Sequence, residues 1–307
     1  MLVASGTYTG DAPNTVNIAV PFSAHVIVIK GGANIAAIWI TPMPATNWKP
    51  ATGGTALQTS GGPTITATGF SVTGSVANTN TAATTYYWTA FQDNGAGDFA
   101  TFTYTNNNTD NRDIVIGGMQ GRTPTFAFIA SNLAATPICK FRPQTGDASQ
   151  SLSAAEAADN IQAFNAGGVQ VGNNSPVNGA VAATFYGFVM TNAALFYAFA
   201  AVYTGTGVAH NETDAGASMT GDHGWTKNNT GTGTNFVWRH PSHAGANSSV
   251  LAGTADGVTN ITALVANGIT VDTATGANGT ARTYCAALLK NGGTRARGGR
   301  HSTLGVG

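Results

Sequence analysis

The stretch GFSVTGSVANTNTAATTYYWTAF, residues 69–91, decides the fold because its layout occurs three times along the chain. The same order is found in GVQVGNNSPVNGAVAATFYGFVM from Gly168 and in GITVDTATGANGTARTYCAALL from Gly268. Each copy has a glycine, an alternating apolar run, a polar Asn/Gly/Thr stretch and a second alternating run. This pattern predicts two antiparallel strands joined by a long loop.

Further landmarks recur in the same order as these glycines. They are a tyrosine in the second run, a tyrosine followed by threonine near the start of each copy, and a proline that ends an apolar run. The residues are Tyr87, Tyr186 and Tyr284; Tyr8, Tyr104 and Tyr203; and Pro42, Pro143 and Pro241. Equivalent landmarks lie 96 to 101 residues apart, which predicts three tandem units of about 99 residues.

A repeat of this length suits a small domain. Solenoid repeats run to roughly 20 to 50 residues, whereas immunoglobulin-sized β-sandwiches take roughly 100. Each unit is therefore long enough to bury a core of its own. We predict β-sandwich repeats at residues 1–97, 98–194 and 195–292, followed by a Gly/Arg-rich tail at 293–307.

The composition favours an all-β fold. Charged residues make up only 8% of the chain, against about 25% in a typical globular protein, while 42% are hydrophobic and can build a packed core. Only two residues are glutamate, whereas threonine and valine are abundant, and this balance disfavours amphipathic helices. The alanine-rich SLSAAEAADN, residues 151–160, is predicted as loop and strand because the corresponding GGPTITATGF cannot be helical.

Although the net charge of the chain is zero, its C-terminal tail is basic. Arg295, Arg297 and Arg300 stand after residue 292 without any acidic residue. Two interpretations stay open: the tail docks on an acidic neighbouring subunit, or it is a solvated terminus. With three arginines and no interleaved aromatic residue, it does not predict nucleic-acid binding.

The two cysteines and the hydrophobic runs indicate the compartment in which the protein folds. Cys139 and Cys285 lie at different landmarks, so we expect buried free thiols rather than a disulfide framework. The beginning MLVASGTYTG lacks the basic and apolar segments of a signal peptide. No run reaches the length of a membrane span. We therefore expect a protein assembled in a cytoplasm, without membrane insertion.

Potential metal or acid–base residues concentrate in the third unit. His210, Glu212 and Asp214 alternate and would share one face of an extended strand. His240 and His243 flank a proline, and Asp222 with His223 lies nearby. Because these residues match no ligand spacing, the sequence predicts no metal, no cofactor and no catalytic residue. If a metal is bound, the candidate ligands are His210, Glu212, Asp214, His240 and His243.

Two groups of aromatic residues have different interpretations. Tyr87, Tyr186 and Tyr284 are predicted to be core residues whose hydroxyl groups are hydrogen-bonded. The candidates for glycan binding are instead the tryptophans that the units do not share, because an exposed indole can stack on a sugar ring. These are Trp39, Trp88 and Trp238.

One combination of motifs resembles a known family. It consists of YTNNNTDNRDIVIGG (104–118), an apolar strand ending in lysine as in VIVIK (26–30), the glycine hairpin, and GFSV…YYWTAF (69–91). This order resembles a repeat of tailed-bacteriophage virion proteins, which are commonly labelled tail fibre, minor tail or adhesin proteins. The element NTDNR is intact only in the second unit.

The resemblance implies a β-sandwich fold at the virion surface and no catalytic residue. The implied partners are other virion subunits of the capsid or tail, a host surface glycan and further copies of the chain. A tail-fibre adhesin and a capsid decoration protein are the two versions of this role. The rival is a glycan-cleaving depolymerase, which needs a close pair of carboxylates; the sequence has no evident pair.

Overall fold

The chain is all-β, as its composition predicts. A computed structural model describes residues 1–199, 202–230 and 236–292. Within these ranges there are 27 strands and one short 3₁₀ helix, and all strand pairings are antiparallel.

The first unit consists of a five-stranded sheet and a three-stranded sheet. The orders are β1-β8-β3-β4-β5 and β2-β7-β6. The strands are β1 (Leu2–Thr9), β2 (Val16–Ala19), β3 (Val26–Gly31), β4 (Ala37–Ile40), β5 (Lys49–Pro50), β6 (Thr64–Thr66), β7 (Gly69–Val72) and β8 (Thr85–Gln92).

The second unit has a six-stranded and a three-stranded sheet. The orders are β14-β13-β12-β11-β17-β9 and β10-β16-β15. The elements are β9 (Phe99–Thr105), β10 (Arg112–Val115), the 3₁₀ helix (Gly117–Met119), β11 (Phe126–Ser131), β12 (Ile138–Phe141), β13 (Ser149–Ser151), β14 (Glu156–Ala157), β15 (Ile161–Asn165), β16 (Gly168–Val171) and β17 (Thr184–Met190). The alanine-rich stretch is therefore loop and strand, as predicted.

The third unit repeats the same pairing with a divided first strand, since β18 and β19 both pair with β27. Its sheets have the orders β18-β27-β21-β22-β23-β24 and β20-β26-β25. The strands are β18 (Phe196–Ala198), β19 (Tyr203–Thr204), β20 (His210–Thr213), β21 (His223–Asn228), β22 (Phe236–Arg239), β23 (Ser248–Val250), β24 (Thr254–Gly257), β25 (Ile261–Val265), β26 (Gly268–Val271) and β27 (Thr283–Leu289).

The same order of strand pairings thus occurs three times along the chain, with one further strand, β14 or β24, at the edge of the large sheet in the second and third units. The predicted boundaries at 97/98 and 194/195 fall in the connections from β8 to β9 and from β17 to β18. In the second unit the two sheets enclose an apolar core that includes Ile129 of the large sheet and Val169 of the small one. An equivalent core in the third unit includes Val237 and Ile269.

The pairing registers correct two of the sequence landmarks by one residue. Lys30 and Lys227 pair with Tyr87 and Cys285, so Tyr284 corresponds to Tyr86 rather than to Tyr87. Tyr86 and Tyr284 are fully buried and donate hydrogen bonds to Ala77 O and Thr275 O, each 2.7 Å long. Tyr87 and Tyr186 point to the other face, because side chains alternate along a strand, and they are only half-buried.

The prolines show the same one-residue shift. Met43 N and Gln144 N bond back to Ile40 O and Phe141 O just after Pro42 and Pro143. His243 N bonds to His240 O in the equivalent turn of the third unit, so the position of those prolines is taken by the residue after Pro241. The sequence landmark, a proline that ends an apolar run, did not reveal this shift.

The three units share a further apolar core. Residues of all three large sheets belong to one buried cluster. At its centre lies a cavity of about 40 Å³ lined by Val28, Ile38, Thr89 and Phe91 of the first unit, Phe126, Phe128, Leu152 and Phe188 of the second, and Trp225, Phe236, Trp238 and Leu251 of the third. The expectation of self-contained cores is therefore incomplete.

Each unit also hydrogen-bonds to both others, which closes a ring. At the first junction Leu57 N donates to Asn132 O at 3.1 Å. At the second, Phe236 N donates to Leu152 O at 3.2 Å, and at the third Ala36 N donates to Leu251 O at 2.9 Å. The bonds at the second and third junctions are equivalent to each other. At the first junction, the position equivalent to their donors Phe236 and Ala36 is occupied by Pro137, which has no N–H to donate.

The residues just after β27 contact the first strand within this ring. Asn291 Nδ2 donates to Ser5 Oγ at 2.7 Å, and Gly292 N donates to Val3 O at 3.2 Å. Cys139 and Cys285 are free and buried, as predicted; burial raises the pKa of each thiol to about 12, which keeps both in the unreactive thiol form. None of the described segments forms a helix of the length and hydrophobicity needed to cross a membrane.

Candidate functional site

The candidate site is an open polar cleft of about 590 Å³ in the second unit. It lies between the loop that joins β12 to β13 and the edge strand β15 of the small sheet. Its lining residues are Asp110, Asn111, Lys140, Gln144, Gly146, Asp147, Asp159, Gln162, Ala163, Phe164 and Gln170.

The same gap is closed in the first unit. There Thr46 N donates to Pro63 O at 3.1 Å, and Gly62 N donates to Thr46 O at 2.8 Å. These two bonds tie the loop between β4 and β5 to the residues just before β6. Thr46 corresponds to Asp147, and among the described residues no backbone hydrogen bond ties Asp147 across the gap to β15. The second unit therefore lacks the backbone bonds that close this gap in the first.

Two oxygen atoms at the cleft are buried without a hydrogen-bond donor among the described residues. They are Gln162 Oε1 and Asp147 Oδ1. Gln162 is 7% exposed, and its Nε2 donates to Asp110 Oδ1 at 2.8 Å. Buried polar atoms are nearly always hydrogen-bonded, and an unmet one destabilises a fold by about 1–3 kcal/mol. Both atoms are acceptors, so they need a donor.

Three carboxyl groups make the cleft acidic. Desolvation, the charge of Asp147 and a hydrogen bond with Asp147 together raise the pKa of Asp159. Asp110 contributes in the same direction from the other side of the cleft. The carboxyl group of Asp159 therefore holds its proton more tightly than an isolated aspartate does.

Lys140 is the one basic residue among those lining the cleft. Its Nζ donates to Gly146 O at 3.0 Å and to Ala148 O, and burial lowers its pKa. Trp39 and Arg239 occupy the equivalent positions in the other units. Trp39 Nε1 donates to Pro44 O at 3.3 Å, and Arg239 donates to Gly245 O and Asn247 O. All three side chains hold their own loop in place.

The predicted metal candidates separate into two groups. On β20, His210 Nε2 lies 2.6 Å from Glu212 Oε1, and its Nδ1 lies 2.7 Å from Val208 O. These acceptors raise the pKa of His210, the Val208 carbonyl most, so the pair is suited to an ion pair rather than to metal ligation. Asp214 instead accepts from Tyr197 Oη at 3.3 Å and Gly216 N at 2.8 Å.

The other group, His240 and His243, is buried with His223 at the junction between the third and first units. Each Nδ1 accepts an N–H: His223 from Trp238 Nε1 at 3.1 Å, His240 from Ser242 N at 3.0 Å, and His243 from His240 N at 3.0 Å. The proton of each neutral ring is therefore on Nε2, and His240 Nε2 donates to Trp88 O at 3.0 Å. With both nitrogens of each ring engaged, this group is a structural junction.

The described residues contain no cluster of three or more His, Cys, Asp or Glu arranged to hold a metal ion. Burial lowers the pKa of His223 and of His243 to about 4. It also lowers the pKa of His240, and the neighbouring His223 adds to that effect. His223, His240 and His243 thus remain neutral near pH 7.

The tryptophan candidates for glycan binding are all buried. Trp39 and Trp88 are 5% exposed and Trp238 is 2% exposed, so none offers an open ring face to a sugar. Trp39 holds its loop, and Trp238 is fixed by His223. The glycan-binding assignment of these residues is corrected to a structural one, because the alternation of the large sheets places them inside.

The docking candidates Arg295, Arg297 and Arg300 lie outside the described residues. The cleft itself was missed by sequence reasoning, because Asp110, Asp147 and Asp159 are up to 49 residues apart in the chain. The sequence did contain one signal of the cleft, because the other units have no acidic residue at the position equivalent to Asp147.

No protein-family model matches the chain, and no curated protein matches it either.

Proposed function

We propose that this protein is a non-enzymatic structural protein of a bacteriophage particle, displayed on the particle surface. The observation that carries the proposal is the closed ring of three two-sheet units around one shared apolar core. Such a block resists deformation because every unit is held by both others, while the loops at its periphery can vary. The order of the motifs YTNNNTDNRDIVIGG, VIVIK and GFSV…YYWTAF supports the phage assignment by resemblance.

The proposal is tested by locating the protein. An antibody against the full chain, used in immunogold electron microscopy of purified particles from the source lysate, should label the particle surface. Labelling at the tail would favour the adhesin version, and labelling over the head would favour capsid decoration. Protein found only in the soluble fraction of the lysate would contradict both versions.

The basic tail supplies a second test. Removal of residues 293–307 should reduce incorporation into particles, because it removes three positive charges that can bind an acidic neighbour. The matched control replaces Arg295, Arg297 and Arg300 with lysine, which keeps the charge and should retain most incorporation. Incorporation is measured by quantitative mass spectrometry of purified particles. Equal incorporation of the deletion variant and the parent would eliminate docking by the tail.

A second candidate function, cleavage of a glycan, is favoured by the Asp147–Asp159 pair in the cleft. The proposed structural role argues against it, and a glycosidase would need its two carboxyl groups about 5–5.5 Å apart in a retaining enzyme or about 6.5–9.5 Å apart in an inverting one. We therefore expect no new reducing ends when the protein is incubated with host surface polysaccharide; their release, abolished by Asp159→Asn, would establish the enzyme instead.

A further inference from the structure

We propose that the cleft of the second unit binds a saccharide that carries hydroxyl and amino donors. This inference rests on the proposed display role for its biological meaning, since a surface-displayed cleft can meet a host glycan. The argument itself depends on the chemistry of the cleft, and it assigns sugar recognition to a place that the tryptophan candidates did not predict.

The size and openness of the cleft suit a small polar ligand. Its volume of about 590 Å³ lies within the roughly 300–1,000 Å³ of small-molecule sites. The first unit has no such opening between the equivalent segments, because Thr46 bonds directly to Gly62 and Pro63. The opening therefore distinguishes the second unit from the first.

The hydrogen-bonding groups of the cleft are mainly acceptors. Gln162 Oε1 and Asp147 Oδ1 have no donor among the described residues. The terminal torsion of a glutamine is soft, so a small rotation can turn Gln162 Oε1 toward a ligand hydroxyl. Asp159 and Asp110 add carboxylate oxygens to the lining. A ligand rich in O–H and N–H groups would satisfy these acceptors.

The charge of the cleft selects among such ligands. Three aspartates face one lysine in the lining, and Lys140 already donates to Gly146 O and Ala148 O. The local field thus favours a cationic or neutral ligand over an anionic one. An ammonium group beside the Asp147–Asp159 pair would stabilise the ionised form of both carboxyl groups.

One apolar surface is available beside these polar groups. Phe164 lines the cleft and packs with its other side against the core of the second unit. The C–H face of a sugar ring can cover such a half-buried ring and remove apolar area from water. A bare metal ion would leave this surface unused, and the described residues do not form a cluster arranged to hold one.

The experiment titrates the full chain with four probes and follows binding by isothermal calorimetry and backbone NMR shifts. The probes are D-glucosamine, D-glucose and D-glucuronate, which share a ring but differ in charge, together with ethylamine. At a pH below the pKa of the sugar amine we expect glucosamine to bind more tightly than glucose, and glucuronate to bind least. Shifts should centre on residues that line the cleft.

The variants separate recognition from folding. Asp147→Asn, which keeps the shape of the side chain, should weaken glucosamine binding about tenfold or more, the effect expected for a lost charged hydrogen bond. Gln162→Met should weaken both glucosamine and glucose. The matched control, Asp272→Asn, removes one acid from the third unit and should bind as the parent does. Unchanged amide spectra outside the cleft would verify that each variant is folded.

Several outcomes would overturn the inference. They are equal binding of ethylamine and glucosamine, tighter binding of glucuronate than of glucose, unchanged affinity in both cleft variants, or no binding of any sugar. If calcium chloride shifts the NMR signals of the same residues and displaces glucosamine, the ligand of the cleft is a cation and not a sugar. Because these measurements use the isolated chain, their failure leaves the particle-labelling test unaffected, and the reverse is also true.

Discussion

At the scale of single residues, different side chains at one position make the same kind of hydrogen bond in the three units. Trp39, Lys140 and Arg239 stand at one strand position and all donate to carbonyl groups of the following loop. The opening glycines show the opposite case, in which only one residue type fits. A β-carbon at Gly168 would lie 2.1 Å from Ile114 O, and one at Gly69 would lie 2.0 Å from Ile18 O.

Substitution Gly168→Ala tests this close approach. A contact of 2.1 Å with a backbone atom forces the two paired strands apart, so we expect a loss of about 1–3 kcal/mol in the free energy of unfolding. Urea denaturation measures it. The control is Gly117→Ala, since a β-carbon there meets nothing within 4 Å and should change stability little. Equal effects of the two substitutions would refute the steric argument.

The buried histidines predict a loss of stability in acid. His223 and His243 have folded-state pKa values of about 4, below the unfolded value near 6.5. The unfolded chain therefore binds protons first, and stability that is present above pH 6.5 is lost as the pH falls toward 4. The loss can reach roughly 3 kcal/mol for each histidine.

Unfolding free energies measured from pH 8 to pH 4 check this expectation. His223→Asn should flatten the acid-dependent loss, although it lowers stability at neutral pH because Trp238 Nε1 and Asn291 Oδ1 lose their partner. The control His210→Gln removes a histidine whose pKa is raised, so it should not flatten the curve. A pH profile that is level from 8 to 4 would contradict the burial argument.

At the scale of elements, each long loop is fastened to the first strand of its unit by a stacked aromatic pair and one asparagine. Tyr8 stacks on Tyr86, with ring centroids 5.1 Å apart. The equivalent pairs are Tyr104 with Phe185 at 4.9 Å and Tyr203 with Tyr284 at 5.0 Å. The asparagines are Asn80, Asn178 and Asn278, and all three are fully buried.

Substitution Asn80→Ala, in the long loop of the first unit, should destabilise the protein. Asn80 Oδ1 accepts from Asp11 N at 2.9 Å, and Nδ2 donates to Asn14 O and Gly74 O, both at 2.9 Å. Loss of these part-buried bonds should lower the free energy of unfolding by about 1–3 kcal/mol. Thermal unfolding measures the effect. The control Asn14→Ala removes only an exposed side-chain bond and should be nearly neutral; a comparable loss would contradict this role of Asn80.

At the scale of the whole molecule, the three units bury apolar surface in one shared core. Phe126, Phe128 and Phe188 of the second unit line the central cavity together with tryptophans of the third and aliphatic residues of the first. These faces would be open to water in an isolated unit. The ring therefore adds an interior that no single sandwich can enclose.

We expect the full chain to unfold in a single transition, with equal calorimetric and van't Hoff enthalpies. Substitution Leu152→Ala should move that whole transition, because it removes about 2–5 kcal/mol of core packing. Residues 98–194 produced alone should bind a hydrophobic dye and lack a cooperative transition. The control Val115→Ala, at a position 84% exposed, should have little effect. Three separate transitions would contradict the shared core.

Much of the fold could be predicted because strands leave local signals. The alternation around Tyr86, the glycine at position 69 and the recurrence of both in the later units identify strands, hairpins and their order without knowledge of distant contacts. The register was uncertain by one residue, since Tyr86 and Tyr87 are both aromatic and alternation alone does not say which one faces the core. The side that each tryptophan occupies was uncertain for the same reason.

The amino-acid sequence by itself determined the all-β class, the antiparallel hairpins and the threefold recurrence of their pattern, because these depend on residues close together in the chain. Only the tertiary structure decided that the units share a core, that the histidines join the third unit to the first, and that Asp147, Asp159 and Gln162 meet in a cleft. Those outcomes depend on contacts between distant segments, whose energies no local pattern encodes.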